Sequence, residues 1–293
     1  MATPYDGKVA IWHWKGDAIA EESIEAVVRT IKTWAPNVTQ LWVKTSDGEY
    51  WQGQFDTDRN LAIDNVASVD KWVRVLEANG MEFHAWAVVK GQNVTAEGDR
   101  IIEVCNRPGV KSMVLDVEPF SGFWTVGRDP IRPLMTRIRR GVGGRFHIAM
   151  AVDPRPAHKL RIFPEEWRPF INSVHLQLYW NTFQRPMEEV LDEGFDTWKD
   201  YGLPLFPVLP GSAPRDEIIA GRQYAVKQHK AAGISWWRLG VIGPIEFPAI
   251  NAPVEPSGDG NGGQPPCKFS LGAHFLLLYF FAFYFWDPPQ ANQ

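Results

Sequence analysis

Cysteine is nearly missing from this chain. Cys105 and Cys267 are the two in 293 residues, too few for a disulfide framework and without metal-type spacing. The seven histidines are scattered, with no HxH and no HExxH, so neither a required metal nor any other cofactor is expected. No GxGxxG follows the first predicted strand and no GxxxxGK[ST] loop occurs, which argues against dinucleotide and phosphate-loop chemistry. Excess charge of one sign is also lacking. A net charge of −4 gives no reason to expect nucleic acid or an anionic membrane surface as partner. The start, MATPYDGKVAIWHW, has no basic segment ahead of an apolar one, so no secretory signal is expected and the chain is read as cytoplasmic when made.

What the chain has in quantity is apolar and aromatic residues, 45% and 13%, including fourteen tryptophans. Their arrangement follows one rhythm. Strands are predicted at Lys8–Trp14, Gln40–Lys44, Met81–Lys90, Val110–Phe120, Arg145–Asp153, Val174–Trp180, Leu203–Leu209 and Ile234–Ile242. Between them lie helical patterns: Ser23–Trp34, a stripe through Val69, Trp72, Val73 and Leu76, Ala96–Cys105, a helix opened by Asp129-Pro130, one around Glu165–Ile171, one opened by Pro186, and Arg215–Ala232. Eight strands alternating with helices are the grammar of an α/β (β/α)8 barrel over residues 1–251. Residues 252–266 have the composition of a linker. Residues 267–293 form an apolar, aromatic tail, with three readings: a membrane anchor, a segment packing on the barrel, or a stretch out of register with the gene's normal product. A membrane partner follows only from the first, and the barrel itself is expected to be a monomer.

The stretch VKSMVLDVEPF, Val110–Phe120, draws attention within that pattern. Side chains alternate along a strand, so Asp116 and Glu118 share one face while Leu115 and Val117 take the other. In barrels of this kind the reacting groups sit at the C-terminal ends of the strands. The same rule sends to that mouth Trp14, Lys44, Lys90, Asp153, Gln177, Tyr179, Trp180, Asn181, Trp236, Trp237 and Arg238. Carboxylates, amides, a tyrosine and tryptophans together suit a sugar: polar groups bond hydroxyls, rings stack on C–H faces, and a carboxylic acid protonates the glycosidic oxygen. The competing expectation is a structural ion pair between Asp116 or Glu118 and Lys44 or Lys90.

LDVEP, Leu115–Pro119, resembles the DxE motif on the fourth strand of glycoside hydrolase family 25, the lysozyme-type muramidases. LWVKTSDGEYWQGQF, Leu41–Phe55, resembles the second-strand segment of that family. This likeness covers the first half of the barrel and implies Glu118 as the acid, assisted by Asp116. LQLYWN, Leu176–Asn181, resembles the M-x-Y-D stretch of family 18, the chitinase-like barrels. It implies Tyr179 as the group supporting the substrate's acetamido and Trp236 or Trp237 as the floor under the reacting sugar. Two positions depart: the first strand offers His13 and no carboxylate until Asp17, and Val114 stands where family 18 has a further aspartate.

These readings imply a glycosidase-like barrel for β-1,4-linked amino-sugar polymers, of peptidoglycan or chitin type, with Asp116, Glu118, Asp153 and Tyr179 catalytic. The alternatives are a non-catalytic glycan-binding barrel gripping a cell-wall polymer with Trp14, Trp180 and Trp237, and a glycosidase for neutral glycans.

Overall fold

The computed structural model describes residues 2–251; the predicted linker and apolar tail lie outside them. Eight parallel strands close on themselves: β1 Val9–His13, β2 Gln40–Asp47, β3 Glu82–Val88, β4 Val110–Asp116, β5 His147–Val152, β6 Ser173–Gln177, β7 Leu205–Pro210 and β8 Ile234–Trp237. Closure comes from β1, which pairs with β2 (Ala10 opposite Gln40) and with β8 (Val9 opposite Ile234). The fold is therefore the expected (β/α)8 barrel. Its main helices are α1 Ile24–Trp34, α2 Val66–Ala78, α3 Val94–Cys105, α4 Ile131–Val142, α5 Met187–Trp198, α6 Arg215–Lys227 and the short α7 Glu246–Ile250. Among the described residues no helix is long and apolar enough to cross a membrane.

Strand alternation sorts the core into two layers. Ile11, Leu41, Val43, Phe83, Met113 and Leu115 face out and bury the apolar stripes of the helices. The opposite faces fill the lumen, where Trp12, Trp42 and Trp86 stack edge to face, with Trp12 4.9 Å from Trp42 and 5.3 Å from Trp86. Three indoles from β1 to β3 would overfill a small barrel, and β5 compensates with Ala149 and Ala151 on its lumen face. Tyr5 plugs the N-terminal end. A Cβ on Gly233 would collide with the Tyr5 carbonyl, so the plug requires glycine there.

Several boundaries differ from expectation: β8 stops at Trp237 rather than Ile242, β6 at Gln177 rather than Trp180, and α6 at Lys227 rather than Ala232, while β2 runs on to Asp47. The fourth strand stops at Asp116 rather than Phe120, yet Val117 N–H still bonds the Ala151 carbonyl at 2.9 Å. The extended alternation thereby carries on to Glu118. The predicted helix over 165–171 is instead a helical turn, Pro164–Trp167, followed by a 3-10 turn, Arg168–Phe170. Pro169 has no N–H to continue an α-helix.

Candidate active site

Asp116 and Glu118 lie at the C-terminal end of β4 and face the lumen, as the alternation requires. Among the described residues neither makes an ion pair with a lysine. They share one amide: Gln177 Nε2 donates to Asp116 Oδ1 at 2.9 Å and to Glu118 Oε1 at 3.1 Å. Gln177 ends β6 and reaches over the intervening β5, whose Ala151 sits opposite Asp116 in the ladder and leaves the room. Burial, reinforced by the charge of Glu118, holds the Asp116 carboxyl well above the usual range, opposed by the Lys44 ammonium and the Gln177 amide. Burial likewise pushes Glu118 up to about 7, with the Asp153 charge adding to the rise. Two buried carboxyls in contact do not both ionise readily, so the pair retains a proton far above the pH at which a free carboxylate loses it.

Asp153 stands at the end of β5 beside this pair. It is held by Arg155, whose Nε and Nη2 reach its two oxygens, the latter at 2.6 Å. Arg155 also lies over the Phe183 ring at 4.3 Å. Tyr179, two residues beyond β6, is close enough to Glu118, Asp116 and Asp153 for their charges to raise its pKa further after burial has done so. Its ring lies 6.4 Å from Trp237. Trp237 in turn rests on the lumen indoles, 5.7 Å from Trp86 and 5.9 Å from Trp12. Trp14 completes the wall, with the Arg238 guanidinium over its ring at 4.8 Å. Among the described residues Arg238 has no carboxylate partner and donates to the Leu239 carbonyl.

Several expected sugar contacts are placed otherwise. Trp236 is fully buried among the helix-facing residues, because it precedes Trp237 by one and alternation turns it outward. Trp180 is also buried there, its indole N–H donating to Glu217 at 2.8 Å, because a helical turn begins at Trp180 and swings it toward α6. Both are core residues. Lys44 is buried and bonds Asp47 at 2.6 Å, and Lys90 pairs with the same carboxylate. Asp47 holds both ammonium groups, Lys44 on one oxygen and Lys90 on the other, so neither forms an ion pair with Asp116 or Glu118. Asn181 donates to Ser212 at 3.0 Å, leaving a buried carbonyl oxygen without a partner. His13 points outward against Trp72, and burial holds it down to about 3, so the first strand brings no acid or base to the mouth.

Sequence reasoning missed Arg155 and Phe123. The Asp153-Pro154-Arg155 spacing was a usable signal, since a carboxylate and a guanidinium two apart around a proline readily close on each other. Phe123 packs beside the lumen aromatics from the loop after β4, and nothing in its local pattern marks it. Among the described residues no cluster of histidine, cysteine and carboxylate side chains has a metal-holding arrangement.

No family model and no curated protein matches this chain. Solved structures do. A GH18 chitinase from Pseudoalteromonas aurantia is similar with a TM-score of 0.53 at 12% identity, over 82% of this chain and 97% of that one. A GH113 beta-1,4-mannanase reaches 0.56 at 11% identity, over 85% and 99%. A GH128 endo-beta-1,3-glucanase from Amycolatopsis mediterranei, solved with laminaripentaose, reaches 0.54 at 12% identity, over 84% and 99%. At such identities the likeness establishes the barrel fold. These neighbours are glycoside hydrolases of several families.

Proposed function

We propose that this barrel is a glycosidase acting on β-1,4-linked amino-sugar polymers of the chitin or peptidoglycan type. The observation that carries the reading is the carboxyl pair at the mouth, bridged by Gln177 and keeping a proton near neutral pH. A general acid must be protonated at the working pH, and a buried pair supplies that. Glu118 donates its proton to the glycosidic oxygen as the C–O bond breaks. Asp116 orients the acetamido oxygen of the sugar at the scissile bond, which closes on the anomeric carbon, with the Tyr179 hydroxyl supporting it. Water then opens that intermediate and returns a proton to Glu118. Trp237 is the floor beneath the reacting sugar. The resemblance to families 18 and 25 supports the acetamido-bearing substrate, and a chitinase among the structural neighbours agrees with it.

One observation favours a second reading, a glycan-binding barrel without turnover: the first strand ends at the outward His13, with Trp14 next and no carboxylate on either. The two readings separate on Glu118→Gln. Wild type should release reducing ends from chitin or peptidoglycan, and the variant should be slower by about 10²–10⁴-fold, the usual weight of a general acid, while still co-sedimenting with the polymer. Release that persists in the variant removes Glu118 as the acid. Co-sedimentation without release by wild type establishes the binding barrel.

A further inference from the structure

The loop between β2 and α2 is built more firmly than the carboxyl pair requires. Tyr50–Trp51 pairs antiparallel with Ser46–Asp47, and Gln52–Phe55 adds a 3-10 turn. Trp51 is buried under the Arg100 guanidinium, 4.2 Å from its ring. Gly53 packs against Asp64 with no room for a Cβ, and Arg59 donates to the Gly53 carbonyl at 2.9 Å. On this pinned backbone two aromatic rings are turned to solvent. Tyr50 is 48% exposed and Phe55 47%, and their rings meet edge to face at 6.4 Å and 81°.

Their position is not arbitrary. Of the seven large apolar side chains exposed among the described residues, Trp34 ends α1. The other six, Tyr50, Phe55, Val126, Leu160, Val241 and Ile245, all lie on segments that follow barrel strands. Exposed apolar surface is thus gathered at the end that carries the carboxyls. Within it Tyr50 and Phe55 are in ring contact, so they offer one joined apolar surface rather than two scattered side chains. The loop is also joined to the pair through side chains: Asp47, opposite Tyr50 in the short ladder, holds Lys44, and the Lys44 charge acts on Asp116.

We propose that Tyr50 and Phe55 form a distal subsite for an extended polysaccharide. Their rings stack on the apolar C–H faces of sugars several residues away from the bond being cut. The edge-to-face contact lets one ring brace the other, so a face is presented without rearrangement. This rests on the glycosidase reading for its occupant, and adds that the substrate is a long chain rather than a short glycoside. An aromatic face discriminates little between hydroxyl patterns, so the subsite contributes grip and leaves the choice of sugar to the carboxyl pair.

The test is a chain-length comparison with Tyr50→Ala/Phe55→Ala and with the ring-preserving Tyr50→Phe. The probes are β-1,4-linked N-acetylglucosamine hexamer, an aryl glycoside of the dimer, and insoluble chitin. The double alanine variant should lose roughly tenfold in kcat/KM on the hexamer, mostly through KM, from the loss of one or two stacking contacts. Its rate on the aryl dimer should stay within about twofold, and Tyr50→Phe should behave as wild type on both. Equal losses on both lengths, or none on the hexamer, overturn the subsite and leave the glycosidase reading intact. If wild type hydrolyses neither probe, retention on chitin decides. Ring-dependent retention upholds the subsite while the catalytic reading falls, and retention unchanged by the double variant removes it.

Discussion

At the scale of single residues, the arrangement turns on one amide. Gln177 donates to both carboxyls, and hydrogen bonds to a carboxylate favour its ionised form. It therefore opposes the rise that burial imposes on Asp116 and Glu118. Gln177→Leu should move the alkaline limb of the kcat/KM profile up by about one unit, the equivalent of one charge-assisted hydrogen bond, and lower kcat as the carboxyls lose their fixed spacing. A limb that stays in place would remove Gln177 as the group setting the pair's protonation. The carboxyl pair was legible from sequence because alternation and strand count need only neighbouring residues. The bridge was not, since it depends on β6 reaching across β5 above Ala151, a relation fixed by barrel closure. The tryptophans show the same limit. Trp236 and Trp237 are indistinguishable as residue types, and one step of alternation sends one to the core and the other to the mouth.

At the scale of elements, the mouth is held by side chains that tie one loop to the next. Asp56, buried on the segment after β2, accepts the backbone N–H groups of Gly16 at 2.5 Å and Asp17 at 3.1 Å from the loop after β1. It also accepts that of Asp58 at 3.0 Å. The family-25-like segment ends one residue earlier, at Phe55, and the geometry gives Asp56 a structural task. Removing it leaves buried N–H donors unpaired, which costs about 1–3 kcal/mol. Asp56→Ala should accordingly lower the urea midpoint by that equivalent and raise KM for long glycans, because the β1 and β2 loops would no longer move as one. An unchanged midpoint would mean that water replaces the carboxylate at no cost. The element pattern itself was accessible from sequence. Boundaries shifted where a proline or a loop bond intervened, as at Pro169 and Val117.

At the scale of the whole molecule, the barrel's other end carries a polar layer that the mouth does not use. His84, His147 and His175 face the lumen there, under Tyr5. His84 Nδ1 meets Ser112 Oγ at 2.6 Å and His147 Nε2 meets Ser173 Oγ at 2.9 Å. His175 lies 5.2 Å from Phe206 in a stacked pair, with both ring nitrogens buried and unpartnered. Burial holds all three below the ordinary histidine value, His147 down to about 4 and His175 well below 6.5, with a charge on His84 also disfavouring His147 and both disfavouring His175. The unfolded chain takes up protons on these rings near pH 6.5, whereas the folded barrel resists until far lower. Stability is therefore intact above about 6.5 and drains away as pH falls through the window down to about 4. Replacing His175 by Phe keeps a ring against Phe206 and removes two unsatisfied nitrogens, so it should raise stability at neutral pH. It should also flatten the loss between pH 7 and 5. Urea midpoints of wild type and His175→Phe at those two pH values give the answer. Parallel declines would show that His175 does not drive the acid sensitivity, and a larger decline in the variant would reverse the sign argued for it.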